Sequence, residues 1–101
     1  MDFGLSEEAT KKICGVFARF PEIEQAIIYG SRAKGTFKPG SDIDLTLSGD
    51  SLTTDIRSRI ALALDDILLP YEIDLSLFSD LHNEELSAHI AHVGKVFYKK
   101  S

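Results

Sequence analysis

A single cysteine, Cys14, excludes an internal disulfide, and no apolar run approaches the roughly 20 residues of a membrane span. Met1 is followed by Asp2 rather than by a basic and then apolar stretch, so no leader is expected. These absences point to a reducing, cytoplasmic setting without a membrane partner. Positive charge is scarce: 11 Lys and Arg face 16 Asp and Glu, for a net charge of −5. Broad affinity for a nucleic-acid backbone needs clustered Lys and Arg, so nucleic acid is not the expected partner. No repeat, low-complexity tract or linker interrupts the 101 residues. A chain of this size supports one hydrophobic core, which predicts a single domain over residues 1–101.

The apolar pattern divides the chain into helices and strands. Ala9, Ile13, Val16, Phe17 and Phe20 recur at helical spacing behind Ser6 as N-cap, with Glu7 and Glu8 in the first turn and Pro21 as the stop. Residues 23–29 read as a buried strand that ends at Gly30. A brief helical turn over 31–35 and a loop over 36–41, carrying Pro39 and Gly40, come next. Ile43, Leu45 and Leu47 alternate with Asp42, Asp44, Thr46 and Ser48, the pattern of a strand with one polar face. A second amphipathic helix is expected over 53–69, ended by Pro70. The third strand carries Tyr71, Ile73, Leu75 and Leu77 inward and Glu72, Asp74 and Ser76 outward. Asn83 opens a helix through Leu86, Ile90 and Val93, which Gly94 closes before a short segment at Val96, Phe97 and Tyr98.

This order predicts an α+β fold, a mixed sheet of three to four strands backed by helices. With the helices on one sheet face, the other face stays open, and Asp42, Asp44 and Asp74 all belong to it.

Three carboxylates on one face are a chemical signal. Two unit charges at close range repel by about 1 kcal/mol in water and about 4 kcal/mol at an effective dielectric of 20, so a cation between them relieves the strain. Mg²⁺ takes oxygen ligands, commonly one or two carboxylates together with substrate phosphates. Asp42 and Asp44 supply such a pair, and Asp74 completes a second metal site or accepts a proton from an attacking hydroxyl. Upstream, Gly30 lets backbone approach a phosphate, the Ser31 hydroxyl donates to it, and Arg32 and Lys34 offset its charge. The spacing is not that of a Walker A loop. Each piece alone is commonplace on a solvated surface; their succession is not.

Gly30-Ser31, ten residues, then Asp42-x-Asp44 resembles the signature of the DNA polymerase β-like nucleotidyltransferase superfamily. The string GSRAKGTFKPGSDIDL, the late YEIDLSLF and the closing HIAHVGKVFYKK are similar to prokaryotic minimal nucleotidyltransferase (MNT) domain proteins over nearly the whole chain. The resemblance implies the nucleotidyltransferase fold, Mg²⁺ at Asp42, Asp44 and Asp74, and a nucleoside triphosphate such as ATP at the Gly30-Ser31 loop. It also implies a partner. Many MNT proteins are antitoxins of HEPN-domain toxins, and some transfer AMP from ATP to a tyrosine of the toxin. Larger members carry an added helical domain, so base and acceptor recognition here are expected to come from a partner or from a homo-oligomer. The rival expectations are an antitoxin that acts by binding alone, and nucleotidyl transfer to a small molecule.

Smaller signals are read as structural. His89 and His92 are expected on a helix surface, Cys14 as a buried thiol, and Lys95, Lys99 and Lys100 as a solvated terminal group.

Overall fold

Capping explains where the long helices begin in the computed structural model, which describes residues 3–38 and 40–100. Ser6 accepts a hydrogen bond from the Ala9 amide at 3.0 Å and starts α1 (Glu7–Ala18). Thr53 does the same from the Ile56 amide at 3.2 Å for α3 (Thr54–Asp66), and Asn83 from the Leu86 amide at 3.1 Å for α4 (Glu84–Val93). Between them lie β1 (Gln25–Tyr29), the short helix α2 (Gly30–Lys34), β2 (Ile43–Ser48) and β3 (Ile73–Leu77). A 3₁₀ turn over Phe78–Asp80 follows β3, and β4 (Lys95–Lys99) follows α4. Pro39, expected in the loop before β2, lies outside the described residues.

Two boundaries fall short of the sequence reading. Helix α3 stops at Asp66, not at Leu69, because Pro70 disfavours a helical residue before it. The chain leaves the helix through Leu68, which adopts φ +51° with its side chain in solvent. Strand β3 begins at Ile73, and Tyr71 lies before it, on another contact described below.

The sheet order is β3-β2-β1-β4, with β1 antiparallel to both β2 and β4, and β2 parallel to β3. The sheet is therefore mixed and four-stranded, as an α+β fold of this kind requires. Ala26, Ile28, Leu45, Leu47, Leu75 and Leu77 point to one face and pack on Ile13, Val16 and Phe17 of α1 and on Ile60 and Leu64 of α3. A fully buried Leu or Ile contributes about 1.5–3 kcal/mol, so this layer carries most of the apolar stabilisation.

The opposite face is not wholly open, which corrects the expectation. Helix α4 lies over its β1 side: His89 meets Tyr29 edge-on at a centroid distance of 6.4 Å, and Ile90 is buried. The reason is apolar. Ile27 interrupts the polar face, and Gly94 lets the end of α4 close onto it, since a Cβ there would stand 2.8 Å from Ile27 Cγ2.

Candidate active site

Register builds the site. Asp44 pairs with Asp74 across the parallel β2/β3 ladder and with Tyr29 across the antiparallel β1/β2 ladder. All three therefore share the face opposite the main core. Asp42 lies two residues before Asp44, where the chain enters β2, and it is exposed like Asp74, while Asp44 is half-buried. Burial raises the Asp44 carboxyl above its ordinary value, and the charges of Asp74 and Asp42 raise it further, against an opposing effect of His89. Tyr29 is also raised, first by burial and then by Asp74 and Asp44, with Ser76 acting in the other direction.

Gly30 follows Tyr29 at φ +75° and opens α2. Any Cβ there would collide with Asp44 Oδ2, so the residue needs both the left-handed backbone and the empty space. Ser31 is half-buried in the first turn of α2, and Lys34 is exposed in its last. Gly35 ends the helix in the left-handed conformation at φ +81°.

Arg32 is held inside the fold. It is 2 % exposed, and its Nε and Nη2 donate to the Ser41 carbonyl at 3.1 and 2.7 Å, while Nη1 donates to the Phe3 carbonyl at 2.8 Å. The guanidinium also stands 5.1 Å from the Phe37 ring centroid and 5.0 Å from that of Tyr71. These contacts occupy the fork that was expected to grip a triphosphate. The physical reason is that a delocalised, weakly hydrated cation can be buried among carbonyls and ring faces, which an ammonium cannot do as readily.

Two residues near the site escaped the sequence reading. His89, expected on the surface, meets the Tyr29 ring and counters the rise of the Asp44 carboxyl; its one signal is that it lies three residues after Leu86, beside the apolar stripe of α4. Thr46 is the other. It is fully buried, it pairs in register with Ser76, and its hydroxyl lacks a hydrogen-bond partner among the described residues.

The donor set suits a hard divalent cation: carboxylate oxygens in register, on a half-solvated face, with one carboxyl already strained by its neighbours' charges. As the side chains stand, no group of three His, Cys, Asp or Glu residues is gathered closely enough to hold an ion among the described residues. The groove of about 810 Å³ between Phe3, Leu5, Val96 and Phe97 contains none of these carboxylates. No helix among the described residues is long and apolar enough to cross a membrane.

Residues 11–101 match the family Polymerase beta, Nucleotidyltransferase, and the chain belongs to it. By family it is a nucleotidyltransferase. Solved structures share the fold. One is described as a toxin–antitoxin with AMP-PNP, at TM-score 0.70 and 23 % identity over 96 % of this chain and 76 % of that one. Another is the toxin–antitoxin MntA-HepT, at TM-score 0.67 and 20 % identity over 94 % of this chain and 74 % of that one. A third is a tri-AMPylated Shewanella oneidensis HEPN toxin in complex with MNT antitoxin, at TM-score 0.67 and 19 % identity over 95 % and 74 %. No curated protein matches the sequence significantly.

Proposed function

We propose that the chain is an MNT antitoxin that transfers AMP from ATP to a hydroxyl of a HEPN-domain toxin, with Mg²⁺ held by Asp42, Asp44 and Asp74. The observation that carries this reading is the register of Asp44 with Asp74, with the Asp44 carboxylate seated against Gly30. The described AMP-PNP and AMPylated-toxin complexes of proteins with this fold support the choice of nucleotide and partner.

Bound Mg²⁺ would neutralise phosphate charge and stabilise the leaving pyrophosphate. The chain's own groups do the rest. Ser31 donates its hydroxyl to a phosphate oxygen at the Gly30 turn, and the exposed Lys34 offsets triphosphate charge as a mobile point charge. Asp74, exposed beside Asp44, accepts the proton of the attacking hydroxyl. The acceptor's hydroxyl oxygen forms the new bond to the α-phosphorus as the bond from that phosphorus to the α–β bridging oxygen breaks, leaving AMP on the acceptor and free pyrophosphate. Positioning and charge neutralisation are the main requirements of such a step. Residues 1–101 act as one minimal domain in this scheme, in the cytoplasm.

The test is incubation of the chain with Mg-ATP and its HEPN partner, followed by intact-mass measurement of the partner. The expected result is added AMP with the native chain and none with Asp44→Asn. Transfer that survives in Asp44→Asn sinks the reading. If an Asp42→Ala/Asp44→Ala variant neutralises the toxin as well as the native chain does, inhibition is by occupancy.

A further inference from the structure

We infer that Arg32 is a positioning residue that holds Asp42 in place, not a ligand of the triphosphate; this rests on the carboxylate face being the reaction site. Its fork closes on a single acceptor, the Ser41 carbonyl, which belongs to the peptide unit leading into Asp42. Its third bond reaches Phe3, and its two ring contacts come from Phe37, in the loop before β2, and from Tyr71, three residues before Asp74. One side chain on α2 thus touches the loop that delivers Asp42 and the segment that delivers Asp74.

Among the described residues the near end of the loop is tied to α2, where the Thr36 amide donates to the Ser31 carbonyl at 3.0 Å, and its far end is closed on itself. The Ser41 amide donates to the Lys38 carbonyl at 3.0 Å, and the Ser41 hydroxyl accepts from the Lys38 amide at 2.9 Å. Both bonds stay within the loop and close its turn without tying it to the sheet. The ladder to β3 begins only afterwards, where the Ile43 amide donates to the Glu72 carbonyl at 2.8 Å. Asp42 falls between these two arrangements, and the Arg32 fork joins the residue before it to the body of the fold.

Among the described residues the Arg32 charge is met by carbonyls and rings and by no carboxylate. A planar, five-donor cation satisfies that surrounding and a lysine ammonium does not, so Arg32→Lys is a probing substitution rather than a mild one. Groups that orient a metal ligand are worth about 10- to 100-fold in metal affinity when lost.

The experiment compares native chain and Arg32→Lys by amide hydrogen exchange, by Mn²⁺ titration followed by electron paramagnetic resonance, and by transfer kinetics with the HEPN partner. Faster exchange over residues 36–42 is expected, with unchanged protection in α1 and Mn²⁺ affinity lowered by about 10-fold or more. In kinetics, kcat falls while KM for ATP stays within about 3-fold, since a lost positioning contact acts on the reacting geometry. Unchanged exchange over 36–42, or a raised KM with native kcat and Mn²⁺ affinity, overturns the inference and returns Arg32 to the triphosphate. If Arg32→Lys does not fold, Phe37→Leu removes one ring face only; native exchange in that variant also overturns it. Hydrogen exchange needs neither metal nor turnover. A chain that shows the exchange change yet transfers no AMP sinks the proposed function and leaves the positioning role standing.

Discussion

The carboxylate of Asp44 occupies the space that a side chain at Gly30 would fill. One residue ends its strand in a left-handed turn so that the other can point past it towards the open face. Gly30→Ala is therefore expected to fail twice. A left-handed alanine costs about 1–2 kcal/mol, and the new methyl must push the Asp44 side chain aside. Thermal unfolding should show a lowered Tm, and AMP transfer should be lost even at temperatures where the variant is folded.

Asp44 and Asp74 are directly opposed like charges, so metal-free protein should gain stability when one is neutralised. A cross-strand pair of this kind costs about 0.5 kcal/mol, which moves the Tm of a domain this size by about 3 °C. Asp44→Asn should raise the Tm of the metal-free chain by that amount while abolishing transfer. The same pair sets a pH dependence. The Asp44 carboxyl is raised on folding, so the native state binds more protons than the unfolded one between the ordinary and the raised value. Its contribution to metal-free stability is thus greatest below the ordinary carboxylate range and declines as pH rises through that interval. A melting series in chelator across mildly acidic pH reads this, and Asp44→Asn should flatten it.

His89 opposes the rise of the Asp44 carboxyl. Removing it should let that carboxyl rise further, and the acid limb of Mn²⁺ binding should move to higher pH in His89→Ala. His89 also covers Tyr29, so the variant should lose about 1 kcal/mol of stability with the ring contact. An unmoved acid limb in a folded variant shows that the imidazole does not act on Asp44.

Thr46 buries a hydroxyl with no partner among the described residues. Thr46→Val keeps the shape and removes the unpaired group, and it should stabilise the fold by about 1 kcal/mol in chemical denaturation. Destabilisation by that amount instead shows that the hydroxyl bonds an ordered water behind the carboxylates.

Helix caps, strand alternation and the carboxylate pattern are local properties, and they were legible as such. Ser6, Thr53 and Asn83 cap within three residues of themselves, and Asp42 and Asp44 share a face by the two-residue period alone. The end of α3 was legible to within three residues, because Pro70 acts on its neighbour and carries no signal for the left-handed exit at Leu68. The burial of Arg32 and the placing of His89 were not legible, because these side chains have partners far away in sequence: Phe3 and Tyr71 for the first, Tyr29 for the second. No spacing rule reaches that distance.

The order of residues by itself determined which groups carry the chemistry: a glycine and serine after an apolar strand, and carboxylates at alternate positions on later strands. It determined the mixed α+β layout too, because hydrophobic period and turn residues act over a few neighbours. Tertiary structure alone decided that β2 and β3 run parallel with Asp44 beside Asp74, and that Gly30 makes room for Asp44. It alone closed α4 over Tyr29 and turned Arg32 from the solvent into the fold. Those outcomes depend on which surfaces exclude water together, and that is settled only when every segment competes for the same core.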